Sequence, residues 1–235
     1  MERHSFSFEI KEGKVGDFLK IFGSNWDSVR AEIKESGVTN FSLWNCDTFF
    51  FGYYESGDKE PSTSKILGPV LDTLEDLIKW KSDFEKGMAL MYEDFGIVRE
   101  DKSMIRHRVF MTHLLKGDTA EYKRRHDELA SARTSVTKGP DSNFSIWNAG
   151  DFIFGYDEID TSMEHEMTAE EKESTIRWEK HMLDIMEWIT DDVDWITDMH
   201  HSHVKRIAYI NEGISLKVFH FQNQIGVASS TNLNH

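Results

Sequence analysis

The chain has 235 residues, a net charge of −15, 39% hydrophobic and 29% charged residues and 3 prolines, the composition of a globular protein long enough to bury a core. The acidic balance argues against nucleic acid or an anionic membrane as partner, while neutral small molecules such as sugars remain compatible. Cys46 is the one cysteine, the start Met1-Glu2-Arg3-His4-Ser5-Phe6 lacks a signal peptide's apolar segment, and no apolar run approaches about 20 residues, so a cytoplasmic setting is expected.

Phe6, Phe8 and Ile10 alternate with polar residues and predict an opening strand. Phe18, Phe22, Trp26, Val29 and Ile33 line one face of a helix that follows. Two aromatic strands come next around Trp44-Asn45, with Cys46-Asp47 suited to the turn between them. A second helix is expected to carry Trp80, Phe84 and Met88, and a weak final strand falls near Phe95–Val98. After the charged stretch Glu100-Asp101-Lys102-Ser103 the pattern begins again. Its second helix carries Trp178, Met182, Ile185 and Ile189, and its final strand falls at Val204–Ile210.

Asn40-Phe41-Ser42-Leu43-Trp44-Asn45 returns 103 positions later as Asn143-Phe144-Ser145-Ile146-Trp147-Asn148, followed in step by Phe152, Phe154, Gly155, Tyr156 and Glu158. Arg3-His4 and Arg106-His107 are also 103 apart, extending that register to the opening strands. The expected fold is α+β: two ferredoxin-like βαββαβ repeats, residues 1–103 and 104–212, with a C-terminal extension over 213–235. Such repeats leave one sheet face bare, so the two are expected to pack face to face as an intramolecular pseudo-dimer around a shared β core, with further homodimerisation left open. Leu216–Phe221 suggests an added strand.

The halves differ most on their first helix. Aligning Gly13 with Gly117 puts Phe18 opposite Tyr122 and Phe22 opposite His126, so an apolar stripe becomes a phenol and an imidazole one turn apart. Polar groups on a buried stripe need partners or a cavity. Met104-Ile105-Arg106, then Glu121-Tyr122-Lys123-Arg124-Arg125-His126, Asn143-Phe144 and Arg177-Trp178 with Met182 resemble the L-rhamnose mutarotase family over about residues 104–210.

That resemblance implies a dimeric α/β-barrel fold, here an intramolecular pseudo-dimer, and a cofactor-independent isomerase of carbohydrate metabolism, interconverting α and β anomers of L-rhamnose or a related deoxy sugar. It makes His126 the acid/base group and Tyr122 a substrate-contacting catalytic residue, with no metal and no cofactor. Trp178, Phe144, Glu179, Arg106 and Trp147 are the candidate sugar contacts. Phe144 stands where the family has tyrosine, Glu179 replaces a second tryptophan, and Ala130 replaces a helical one, so the sugar is left open. The first half, with Phe18 and Phe22, reads as non-catalytic.

The alternative is a non-catalytic sugar-binding or scaffold protein derived from a mutarotase. His200-His201-x-His203 is a poor metal site, Asp191-Asp192-x-Asp194 reads as a solvated acidic turn, and Cys46 as an inert residue of a hairpin turn.

Overall fold

The computed structural model describes residues 1–57, 62–94, 98–99, 101–132, 139–191, 193–200 and 203–211. In chain order these form β1 (Glu2–Ile10), α1 (Val15–Ser24), α2 (Trp26–Glu35), β2 (Val38–Cys46), β3 (Phe49–Ser56), α3 (Thr63–Leu74), β4 (Ile78–Trp80) and β5 (Ala89–Glu93). The second half follows with β6 (Ile105–Leu114), α4 (Thr119–Ala132), β7 (Asp141–Ala149), β8 (Phe152–Asp160), α5 (Ala169–Met182), β9 (Met186–Thr190), the ribbon β10 (Val193–Asp194) and β11 (Met199–His200), and β12 (Lys205–Ile210). The result is mixed α+β with antiparallel sheets, in the strand-helix-strand-strand-helix-strand order that the sequence predicts.

Two five-stranded sheets run β12-β2-β3-β1-β4 and β5-β7-β8-β6-β9. The outermost strand beside β2 comes from the end of the chain, and the one beside β7 comes from the first half. Each half therefore lends a strand to the other's sheet.

One face of each sheet carries helices; the other packs against its counterpart. Phe49 meets Phe152 at 4.6 Å, Phe51 stacks on Phe154 at 4.7 Å, and Tyr53 on Tyr156 at 3.8 Å between ring centres. At one end of this apolar layer lies a polar group shared by both sheets. The Asn40 amide donates to Glu55 Oε1 at 2.8 Å and Glu158 Oε1 at 2.6 Å, and Asn143 donates to the same two oxygens at 2.6 and 3.0 Å. Both asparagines have positive φ, 48° and 53°, at irregularities in β2 and β7. Asparagine tolerates that conformation better than a bulky side chain would. Burial alone would raise the Glu158 carboxyl, yet Lys102 and the two amides hold it below its ordinary value.

Several expectations change. The β1/β6 register is one residue off that of the hairpins: Phe6 lies opposite Gly52, and Phe110 opposite Gly155. Both glycines are required there, since a Cβ would sit about 2.0 Å from the facing ring. His4 thus corresponds to Arg108, and the Arg3-His4/Arg106-His107 match is coincidental. Trp80, Phe84 and Met88 are not helical. The second helix of the first half is α3, and Trp80 ends β4, packed edge-on against Phe8 at 5.5 Å. Their four-residue spacing imitates a helical stripe.

The first helix breaks at Asn25, after Gly23 and Ser24, into α1 and α2. Ile185 and Ile189 follow α5 rather than ride on it. The first half's last strand is Ala89–Glu93, not Phe95–Val98, of which residues 95–97 lie outside the described residues, as do Leu216–Phe221 and His201. Cys46 ends β2 and is buried, with the turn starting at Asp47. Asp191 is buried rather than solvated, and Lys102 of the charged stretch is buried against Glu158.

Candidate functional site

On the helix-covered face of the second sheet, a cavity of about 390 Å³ opens between α4, α5 and the strands. α4 supplies Tyr122 and His126; β7 supplies Phe144; α5, begun by a Thr168–Glu171 capping box, supplies Trp178 and Glu179. One helical turn separates Tyr122 from His126, so their rings meet at 4.4 Å, tilted by 31°. Trp178 stands edge-on to His126 at 5.2 Å. Tyr92, from β5 of the first half, closes the other side at 5.3 Å.

His126 Nδ1 lies 3.0 Å from the Tyr122 carbonyl oxygen. A carbonyl only accepts, so Nδ1 carries the proton and the neutral ring keeps its lone pair on Nε2. Burial pushes the imidazole pKa down, against the smaller upward pull of that carbonyl. Neutral imidazole is thereby favoured at physiological pH. Burial also raises the Tyr122 phenol, which stays protonated as a donor.

Glu179 is 4% exposed; its Oε1 accepts from the Trp188 indole at 2.7 Å, while Oε2 has no partner. Arg106 is exposed and pairs with Glu164 at 2.7 Å, away from the cavity. Trp147 lies in the layer between the sheets, its indole donating to Ser145 at 2.9 Å. Of the seven residues singled out in the sequence, the structure brings together His126, Tyr122, Trp178, Phe144 and Glu179, and leaves Arg106 and Trp147 outside. Ala130 packs beside the core under α4.

The cavity also holds residues that the sequence reading passed over: Tyr92, Arg108, Asp141, Asp157, Trp188 and Trp195. Arg108 Nη2 donates to Asp191 at 2.6 Å and its guanidinium lies over Phe110 and Trp195, at 5.2 and 5.8 Å from the ring centres. Asp157 is 3% exposed with Oδ1 unpartnered, and burial, then the neighbouring Asp141, push its carboxyl well above the ordinary range. A signal for Asp157 existed: it follows Gly155 by two along β8 and so shares its helix-covered face. Among the described residues, no group of three His, Cys, Asp or Glu is placed to hold a metal, and no helix is long and apolar enough to cross a membrane.

An aromatic-walled cavity with a neutral imidazole and convergent polar groups defines the class: an α+β protein with a small-molecule site suited to proton transfer. Residues 107–206 match the family L-rhamnose mutarotase, so the resemblance carried by the α4 and α5 motifs holds across that stretch. No curated protein and no solved structure matches the chain.

Proposed function

We propose that the chain is an aldose mutarotase needing no cofactor, acting on L-rhamnose or a related deoxy sugar at one site in its second half. The observation that carries this is His126 on the wall of the cavity, its Nδ1 committed to Tyr122 so that Nε2 is the basic atom. Nε2 takes the anomeric hydroxyl proton, the C1–O bond to the ring oxygen breaks as the C1 carbonyl forms, and that oxygen gains a proton from the Tyr122 hydroxyl or a water. Rotation about C1–C2 and the reverse steps give the other anomer. Trp178, Phe144 and Tyr92 offer faces to the sugar's C–H groups, and Glu179 accepts from a hydroxyl.

The same reading takes residues 1–103 and 104–212 as duplicated domains closing a dimeric α/β barrel, followed by the extension 213–235. Contacts between residues 103 apart across the sheets support it, since equivalent surfaces meet in that way about a two-fold axis. The first domain then acts as the fixed partner that supplies Tyr92.

Exchange NMR on L-rhamnose and L-fucose tests the activity. Faster anomer exchange with the wild-type chain, lost in His126→Ala, is expected. Binding without exchange would instead establish a non-catalytic sugar-binding protein.

A further inference from the structure

The second-half cavity has a charge balance that a neutral sugar leaves unmet. Asp157 and Glu179 are each more than nine-tenths buried, each lines the cavity, and each keeps one oxygen without a hydrogen-bond donor. Asp141 adds a third carboxylate beside Asp157. Against these, Arg108 is the one lysine or arginine lining the cavity among the described residues; it donates to Asp191, and its charge also pulls the Asp157 and Glu179 carboxyls down, so one cation is shared among several acids. His126 is held neutral by burial.

Buried acceptors without donors are costly, and carboxylates that outnumber their countercharges more so. Burial is the main cause that raises the Asp157 and Glu179 carboxyls, and it favours their protonated forms over their charged ones. A sugar hydroxyl would bring one donor and no charge. An ammonium brings three donors and the missing positive charge, and aromatic rings such as Trp178 and Phe144 favour a cation nearby.

We propose that the cavity selects an aminodeoxy sugar, its ammonium seated against Asp157 and Glu179 and its anomeric carbon towards His126. This rests on the mutarotase reading for the orientation of the sugar, but its charge preference stands on the cavity alone. A bound cation lowers the pKa of a neighbouring carboxyl, so binding releases protons. Anionic sugars, such as uronates and sugar phosphates, are excluded by the same field.

The test is calorimetric titration of the full chain near pH 6 with L-rhamnose, its two-amino and three-amino analogues, and a uronate, in buffers of differing ionisation enthalpy. At least one amino analogue is expected to bind about tenfold or more tighter than L-rhamnose and to release protons. That advantage is expected to vanish in Asp157→Asn or Glu179→Gln, both isosteric. L-rhamnose binding as tightly as both analogues, or a preference that survives both substitutions, overturns the proposal. Anomer exchange measured on the same sugars separates the two readings. Exchange of L-rhamnose without an amine preference sinks only this inference. An amine preference without exchange of any sugar sinks only the mutarotase reading.

Discussion

The helix-covered faces of the two sheets share a framework and differ in what fills it. In the first half, Phe18 stands where Tyr122 does, Phe22 where His126 does, Phe8 where Thr112 does, and His4 where Arg108 does. Rings then fill the space: Phe8 against Phe50 at 5.4 Å, Phe18 against Phe50 at 4.5 Å, and Trp80 across Phe8. In the second half, the same volume is left as a cavity holding a half-buried Arg108, an acid with an orphaned oxygen and an imidazole. One framework thus supports a ring-filled stripe beneath its first helix or an aromatic-walled cavity there, depending on a few side chains. The contrast is local to the first helix of each half, since the first half opens a cavity of its own elsewhere, lined by His4, Tyr54 and Thr63.

The sharpest break of this comparison is a pair of substitutions at matched positions. His126→Ala is expected to slow enzymatic anomer exchange by about 10²–10⁴-fold with little loss of stability. Phe22→Ala is expected to leave exchange unchanged on folded protein and cost about 3–5 kcal/mol, read by denaturant unfolding. Exchange loss in the second variant would mean that the first half does more than support.

Tyr92 tests the crossing of the halves. Tyr92→Ala, a change in the first half, is expected to raise KM for exchange by about tenfold, in line with a lost aromatic contact of roughly 1 kcal/mol.

Asp157 tests the cost of the hollow. Its folded-state pKa is raised, so the stability held by the protonated form is present at low pH and lost as pH climbs from the unfolded value towards the folded one. Asp157→Asn is therefore expected to melt about 2–4 °C above wild type at pH 7, with the gain fading near pH 4, by differential scanning calorimetry. The smallest effect is a shift in profile. Because burial lowers the His126 pKa, exchange is expected to rise with pH through a midpoint below the ordinary 6.5 and to hold above it.

Local spacing made part of this legible. Tyr122 and His126 are one turn apart on a single helix, and Trp178 and Glu179 adjoin on another, so their shared direction follows from helical geometry alone. Long-range pairing is not written locally. Nothing in Ala89–Glu93 says that it crosses to β7, so Tyr92 was missed, and the aromatic spacing of Trp80, Phe84 and Met88 imitated a helix. Arg3-His4 matched Arg106-His107 by identity while the glycine–phenylalanine contacts fixed another register. Trp147 read as a sugar platform because a strand's two faces look alike until the second sheet is in place.

The reciprocal lending of strands also sets an order of events. β2 lies at residues 38–46, yet its neighbour β12 lies at residues 205–210 and so is made long after it. Until that strand arrives, β2 presents an open row of backbone donors and acceptors, and closing it requires a contact between distant parts of the chain. While that edge waits, a strand from a neighbouring chain can occupy it, so the vulnerable interval of this protein falls before β12 has been made and paired.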